Sequence, residues 1–160
     1  MNPSFSVKQK MSGISTLDID EKLESIPNFL GAFPFDELPE KPDGDFSVIV
    51  NTEPGGEPGA HWIPIIFKNK IFYFVDSFGR LPGSNLFSQN FKKTIKMFMN
   101  GYKCKSNVNM IQHIFANTCG YYAIYFIREM QEKTMADALS IFTSNLVKND
   151  SLVVKIVNGY

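Results

Sequence analysis

Residues 117 to 127 read Asn-Thr-Cys-Gly-Tyr-Tyr-Ala-Ile-Tyr-Phe-Ile, with no charged side chain among them. Ala123, Ile124, Ile127 and Met130 recur at the three-to-four spacing of an apolar helical stripe, so the segment reads as a buried helix that the rest of the chain must cover. Asn117 and Thr118 are residue types that end loops and cap helix starts, which puts Cys119 in the first turn. Unpaired backbone N–H groups and the positive end of the helix dipole converge there, and both favour thiolate over thiol. Gly120 leaves room for a substrate backbone. Cys119 is thus a candidate nucleophile. On this segment alone a small buried hydrophobe is the commoner fate of such a cysteine, and a histidine elsewhere has to decide.

The chain has 160 residues, 44% of them hydrophobic and 15 of them Phe, enough for one domain with a substantial core over residues 1–160. Lys plus Arg and Asp plus Glu both number 16, so no global basic charge argues for nucleic acid or acidic lipid as an obligatory partner. Two cysteines, Cys104 and Cys119, are too few for a disulfide framework and suit a reducing compartment. Residues 1–13 lack the apolar core of a signal peptide, and no stretch approaches a membrane span. The expectation is a soluble intracellular protein acting as a monomer.

In chain order, residues 1–16 read as a loose leader. A short helix is expected from about Asp18, with Glu21 in the capping-box position and Pro27 as the stop. Asn28 to Pro39 is rich in aromatic, Gly and Pro residues and reads as a loop pinned to the core by its rings. Phe46 to Val50 is β-branched and apolar, as a buried strand is, and Glu53 to Ala60 is a tight Gly/Pro loop. His61–Phe67 and Ile71–Asp76 read as two strands of a hairpin joined by Lys68-Asn69-Lys70. Closing it about Asn69 brings His61 level with Asp76 and Ser77. Ser84 and Asn85 then open a helix with the stripe Phe87, Phe91, Ile95 and Phe98, stopped by Gly101. Val108–Ile114 is a further strand candidate leading into the Cys119 helix. Thr134 with Asp137 caps a helix to about Val147, and Asn149-Asp150 caps a last one. The sum is an α+β domain with helices packed on a mostly antiparallel sheet.

His61 at the start of one strand, Asp76 at the end of its partner and Cys119 at a helix N-terminus make a set of catalytic candidates. Amide hydrolysis by a thiol needs an imidazole to take the thiol proton and return it to the leaving amine. It also needs a carboxylate to hold the ring in the right tautomer. Gln112, seven residues before Cys119, is a candidate oxyanion donor beside the Cys119 backbone N–H, although a solvated amide is the more ordinary role of such a side chain. Gly59 and Trp62 flank His61 as candidate substrate-binding positions, together with Gly120. His113, the other histidine, directly follows Gln112 and is expected on the opposite strand face, which removes it as the base.

These residues carry a resemblance to the adenain-like cysteine proteases of adenoviruses, Polinton-type transposons and large DNA viruses. Asn28-Phe29-Leu30-Gly31, Asp36, Leu38-Pro39, Ile49-Val50-Asn51-Thr52, Gly59-Ala60-His61-Trp62, Phe74-Val75-Asp76-Ser77-Phe78-Gly79 and Gln112 before Thr118-Cys119-Gly120 occur in the family's order, over roughly residues 28–130. The resemblance implies a papain-like fold with a permuted chain order, His61 as base, Asp76 as third member, Cys119 as nucleophile and Gln112 as oxyanion donor. It implies an endopeptidase without metal or cofactor that processes viral or mobile-element capsid and core precursor proteins near Gly residues through a thioester. It further implies a place in the host cytoplasm, nucleus or virion, and that Cys104 tethers an activating peptide by disulfide exchange, for which the flanking Lys103 and Lys105 of this sequence would lower the thiol pKa. Read alone, Cys104 is an incidental surface cysteine. The zero net charge argues against the DNA affinity of the adenovirus enzyme. Two other readings stand beside this one. An isopeptidase of the deubiquitinase or deSUMOylase type shares the chain order and cleaves after Gly-Gly, and a dead domain would only bind Gly-Gly tails. The intact set of four site residues speaks against the last.

Overall fold

The computed structural model describes residues 13–57 and 60–160. Five strands follow one another across a single sheet in chain order: β1 (Phe29–Pro34), β2 (Phe46–Asn51), β3 (Trp62–Lys68), β4 (Ile71–Phe74) and β5 (Lys103–Ser106). The helices are α1 (Thr16–Leu23), α2 (Gln89–Met99), α3 (Cys119–Glu129), α4 (Met135–Leu139) and α5 (Leu146–Asn158). The central strands β2, β3 and β4 are antiparallel, while each edge strand joins in parallel.

Every residue of β2 is buried, because both faces of the sheet are covered. Alternate residues face opposite ways. Val48 and Val50 therefore join Ile63, Ile65, Phe72 and Phe74 under α2, which contributes Phe91 and Ile95. Ile49 and Ile66 join the other layer, where α3 presents Ala123, Ile124 and Ile127 beneath α1 and α5. The uncharged helix read from the sequence is thus the central packing element of one layer, and β3 and α3, the elements that bear the site, lie against each other.

The β3–β4 hairpin closes through two residues, Asn69 and Lys70, both left-handed (φ 53° and 64°), with Lys68 opposite Ile71. The right-handed twist of the strands favours such a turn. Lys68 thus extends β3 instead of belonging to the turn.

Several expected boundaries move. Phe29–Pro34 is not an irregular loop but an edge strand, paired in parallel to β2 with a bulge between Phe29 and Ala32. An edge strand needs a ladder on one side only, which accommodates Gly31 (φ 125°) and Pro34. Helix α1 starts at Thr16, because Ser15 and Asp18 form the capping box in place of Asp18 and Glu21. Helix α2 is capped by Ser88, not Ser84, and ends at left-handed Asn100 before Gly101. The expected strand 108–114 is a loop, because β5 has already taken the edge position and the loop's N–H groups go elsewhere: Ile111 and Gln112 both donate to Ser77 O, at 2.9 and 3.1 Å. The helix expected from Thr134 to Val147 stops at Leu139, and Asn145, accepting from Lys148 N, starts α5 four residues ahead of Asn149. Of the expected leader, residues 1–12 lie outside the described residues, while Ile14 packs on the core. Among the described residues no helix is long and apolar enough to cross a membrane.

Candidate active site

The hairpin register assembles the first half of the site. With Ile65 opposite Phe74 and Val75 N donating to Pro64 O at 3.2 Å, the residue before β3 and those after β4 end at the same edge of the sheet. His61 Nε2 lies 2.7 Å from Asp76 Oδ1, and Asp76 has no exposed surface. The imidazole stacks on Phe78, centroids 4.6 Å apart and planes 17° from parallel, which fixes its plane as the carboxylate fixes its rotation. Asp76 itself is held from several sides. Arg80 Nε donates to Oδ2 at 2.6 Å and Phe78 N to Oδ1 at 3.0 Å, and Asn107 Nδ2 donates to the Asp76 carbonyl at 2.6 Å. The Arg80 guanidinium is itself sandwiched over Phe87 (4.4 Å) and Phe78 (5.3 Å).

The second half comes from α3, whose first residue is Cys119, 7% exposed. Because Nε2 is engaged by Asp76, Nδ1 is the ring nitrogen left to hydrogen-bond the thiol. Burial alone would push the Cys119 thiol up, but the His61 hydrogen bond and charge, with the backbone N–H groups of Trp62 and Gly120, bring it below the ordinary thiol range. Burial likewise opposes charge on His61, yet the Asp76 and Cys119 contacts raise it above its usual value. Asp76 sits below the usual carboxylate range despite burial, because of His61 and then Arg80. The shifts agree in direction: they favour a thiolate–imidazolium pair with a carboxylate behind it.

The remaining predicted residues fare unevenly. Gln112, 1% exposed, accepts from Ser77 Oγ at 2.5 Å and donates from Nε2 to Ala116 O at 3.0 Å. One Nε2 proton is committed and the second is left to donate. Thr118 precedes Cys119 as expected, but its hydroxyl does not cap α3; it donates to Asp150 Oδ1 at 2.9 Å. Gly120 does not hold space open for a substrate: a Cβ there would lie 2.1 Å from Ile14 Cγ2, so the missing side chain admits the chain's own N-terminal segment. Trp62 is half-buried at the start of β3, and its N–H faces the sulfur. Gly59 lies outside the described residues. Cys104 is not a lysine-activated thiol; partly buried in β5 against the α2 layer, it is pushed up by burial, against which Ser106 and Phe74 act only partly. His113 is away from the pair, its Nδ1 accepting from Phe115 N at 3.2 Å.

Arg80, Phe78, Asn107, Ser77 and Asp150 were not anticipated. Arg80 and Phe78 had a readable signal, their places four and two residues after Asp76. Ser77, Asn107 and Asp150 act through contacts between segments far apart in the chain.

No protein-family model matches the sequence, and no curated protein matches it. Among solved structures, the ASFV pS273R protease superposes with a TM-score of 0.55 at 16% identity, over 89% of this chain and 66% of that one. The chain shares the fold of that protease. This is the α+β fold that the adenain-like resemblance implied, and the chain spans about two thirds of the pS273R protease. ChlaDub1 from Chlamydia trachomatis matches more loosely, with a TM-score of 0.47 at 14% identity over 72% of this chain and 58% of that one.

Proposed function

We propose that this chain is a cysteine endopeptidase that cleaves protein or polyprotein precursors next to Gly residues, with His61, Asp76 and Cys119 as its catalytic set. The observation that carries the reading is the buried imidazole shared between the Asp76 carboxylate and a thiol at a helix N-terminus. The Cys119 thiolate attacks the scissile carbonyl carbon, and the resulting oxyanion is met by the Cys119 N–H and by Gln112 Nε2. Collapse breaks the C–N bond as His61 passes its proton to the departing amine, leaving a thioester on Cys119. His61 then takes a proton from water, the hydroxide attacks the thioester, and collapse breaks the C–S bond, releasing the acid product and restoring the Cys119 thiolate beside the His61 imidazolium. Asp76 holds the tautomer and offsets the imidazolium charge throughout. A capsid or core precursor of a virus or mobile element is the substrate class suggested by the adenain-like resemblance and by the fold shared with a viral protease.

The test is to incubate the protein with candidate capsid precursors and with ubiquitin and SUMO fusions, and to locate new termini by mass spectrometry. Cleavage of precursors at Gly, lost in Cys119→Ala, is expected. Cleavage of the fusions alone would assign an isopeptidase, and cleavage by Cys119→Ala would sink the reading.

A further inference from the structure

The carboxylate of Asp150, on α5, reaches across to the segment that carries the oxyanion donor. Its Oδ1 accepts from Thr118 Oγ1 at 2.9 Å and lies 2.8 Å from the Tyr122 hydroxyl, and its Oδ2 accepts from His113 N at 3.2 Å. Burial and this carboxylate push the Tyr122 hydroxyl up, so it stays a donor, shared between Asp150 and Ile111 O at 3.0 Å. The neighbouring Asn149, 2% exposed, donates from Nδ2 to Ile111 O at 3.0 Å and Thr143 O at 2.7 Å and accepts from Thr143 N at 2.9 Å. The residues on either side of Gln112, namely Ile111 and His113, are thus both fastened to one turn of α5, and so is the residue before Cys119. Loop 107–118 has no strand ladder of its own to hold it.

We propose that Asp150 is a positioning residue for the oxyanion side of the site: it sets Gln112 and the first turn of α3 in register with each other. The inference rests on the cysteine-hydrolase reading above. Asp150 touches neither His61 nor Asp76 by a hydrogen bond, so its influence is confined to the loop and the helix start. The transition state for attack on a carbonyl depends on that register, since a displacement of about 1 Å in a catalytic group can cost on the order of 10²-fold. Displacement of iodide from iodoacetamide by the same thiolate builds no charge on a carbonyl oxygen and needs no oxyanion donor.

Two rates on the intact protein separate these demands: alkylation of Cys119 by iodoacetamide, and the burst of p-nitrophenolate from benzyloxycarbonyl-glycine p-nitrophenyl ester as Cys119 is acylated. Asp150→Ala is expected to lower the burst rate by roughly 10- to 10²-fold while alkylation stays at the wild-type rate. Thr118→Val, which removes one donor with little change of shape, and Asp150→Asn, which keeps an acceptor for Thr118 but turns an N–H toward His113, should fall between. If Asp150→Ala fails to fold, those two variants carry the test. Equal losses in both reactions, or a wild-type burst in all variants, would overturn the assignment. A wild type with no burst and no rapid alkylation would instead overturn the hydrolase reading, and this inference with it.

Discussion

Replacing Asp76 by Asn changes one charge in the site and almost nothing of its shape. The amide still offers an oxygen to His61 Nε2 and to Phe78 N. The imidazolium, however, loses an anion 2.7 Å away, and the Arg80 guanidinium beside it is left without a counter-charge. Two unit charges about 4 Å apart interact by about 4 kcal/mol at an effective dielectric constant of about 20. Part of that returns because a neutral amide is easier to bury than a carboxylate, so roughly 2–3 kcal/mol is taken as the loss in the thiolate–imidazolium pair. That corresponds to roughly a 30- to 160-fold fall in kcat/KM. The pH dependence gives the sign. Cys119 is depressed, so its thiolate is present above the folded value and lost as pH falls through it; His61 is raised, so its imidazolium is present below the folded value and lost as pH rises through it. The pair therefore exists between the two, and turnover should be bell-shaped. In Asp76→Asn the imidazolium is less stable and the thiolate loses its cation, so the acid limb of iodoacetamide alkylation moves up toward the ordinary thiol range. An unmoved limb with unchanged kcat/KM would refute the charge argument.

Gln112→Ala should lower kcat on the order of 10²-fold while leaving Cys119 alkylation intact, which steady-state kinetics beside thiol labelling would read. At neutral pH iodoacetamide should modify Cys119 before Cys104, since the first thiol is held down by His61 and the second pushed up by burial; peptide mapping after brief labelling decides. His61→Ala should erase turnover and His113→Ala should leave it unchanged in a peptidase assay, the latter ring bonding only within its own loop. Lys70→Gly should stabilise the fold by roughly 0.5–1 kcal/mol in urea titration, because a left-handed Lys costs about 1–2 kcal/mol and glycine gives back part of this as chain entropy.

What was legible in the sequence was short in range. The hairpin turn sets its own register from Asn69 and Lys70, so the meeting of His61 and Asp76 followed from counting residues. The uncharged run after Cys119 left α3 no position but the interior. Helix starts slipped by two to four residues where two capping residues competed, as Ser15 against Asp18 and Ser88 against Ser84. Strand β1 was hidden because a bulged edge strand with Gly31 and Pro34 has the composition of a loop. The reverse error fell on Val108–Ile114, where apolar residues suggested a strand although Val108 (71%) and Ile114 (63%) are largely exposed. Asp150 meets Thr118 and His113 only through docking of α5, which no local pattern encodes.

The strands are neighbours in the order in which they are synthesised. A growing chain can therefore close its sheet, and with it the His61–Asp76 pair, before the helix bearing Cys119 is free to dock. The last strand in place supplies no nucleophile, and the thiol meets its base only when α3 settles onto β3. Translation order thus keeps the imidazole and the thiol apart until late, and the nascent polypeptide spends most of its assembly as a scaffold in which the His61–Cys119 contact does not yet exist.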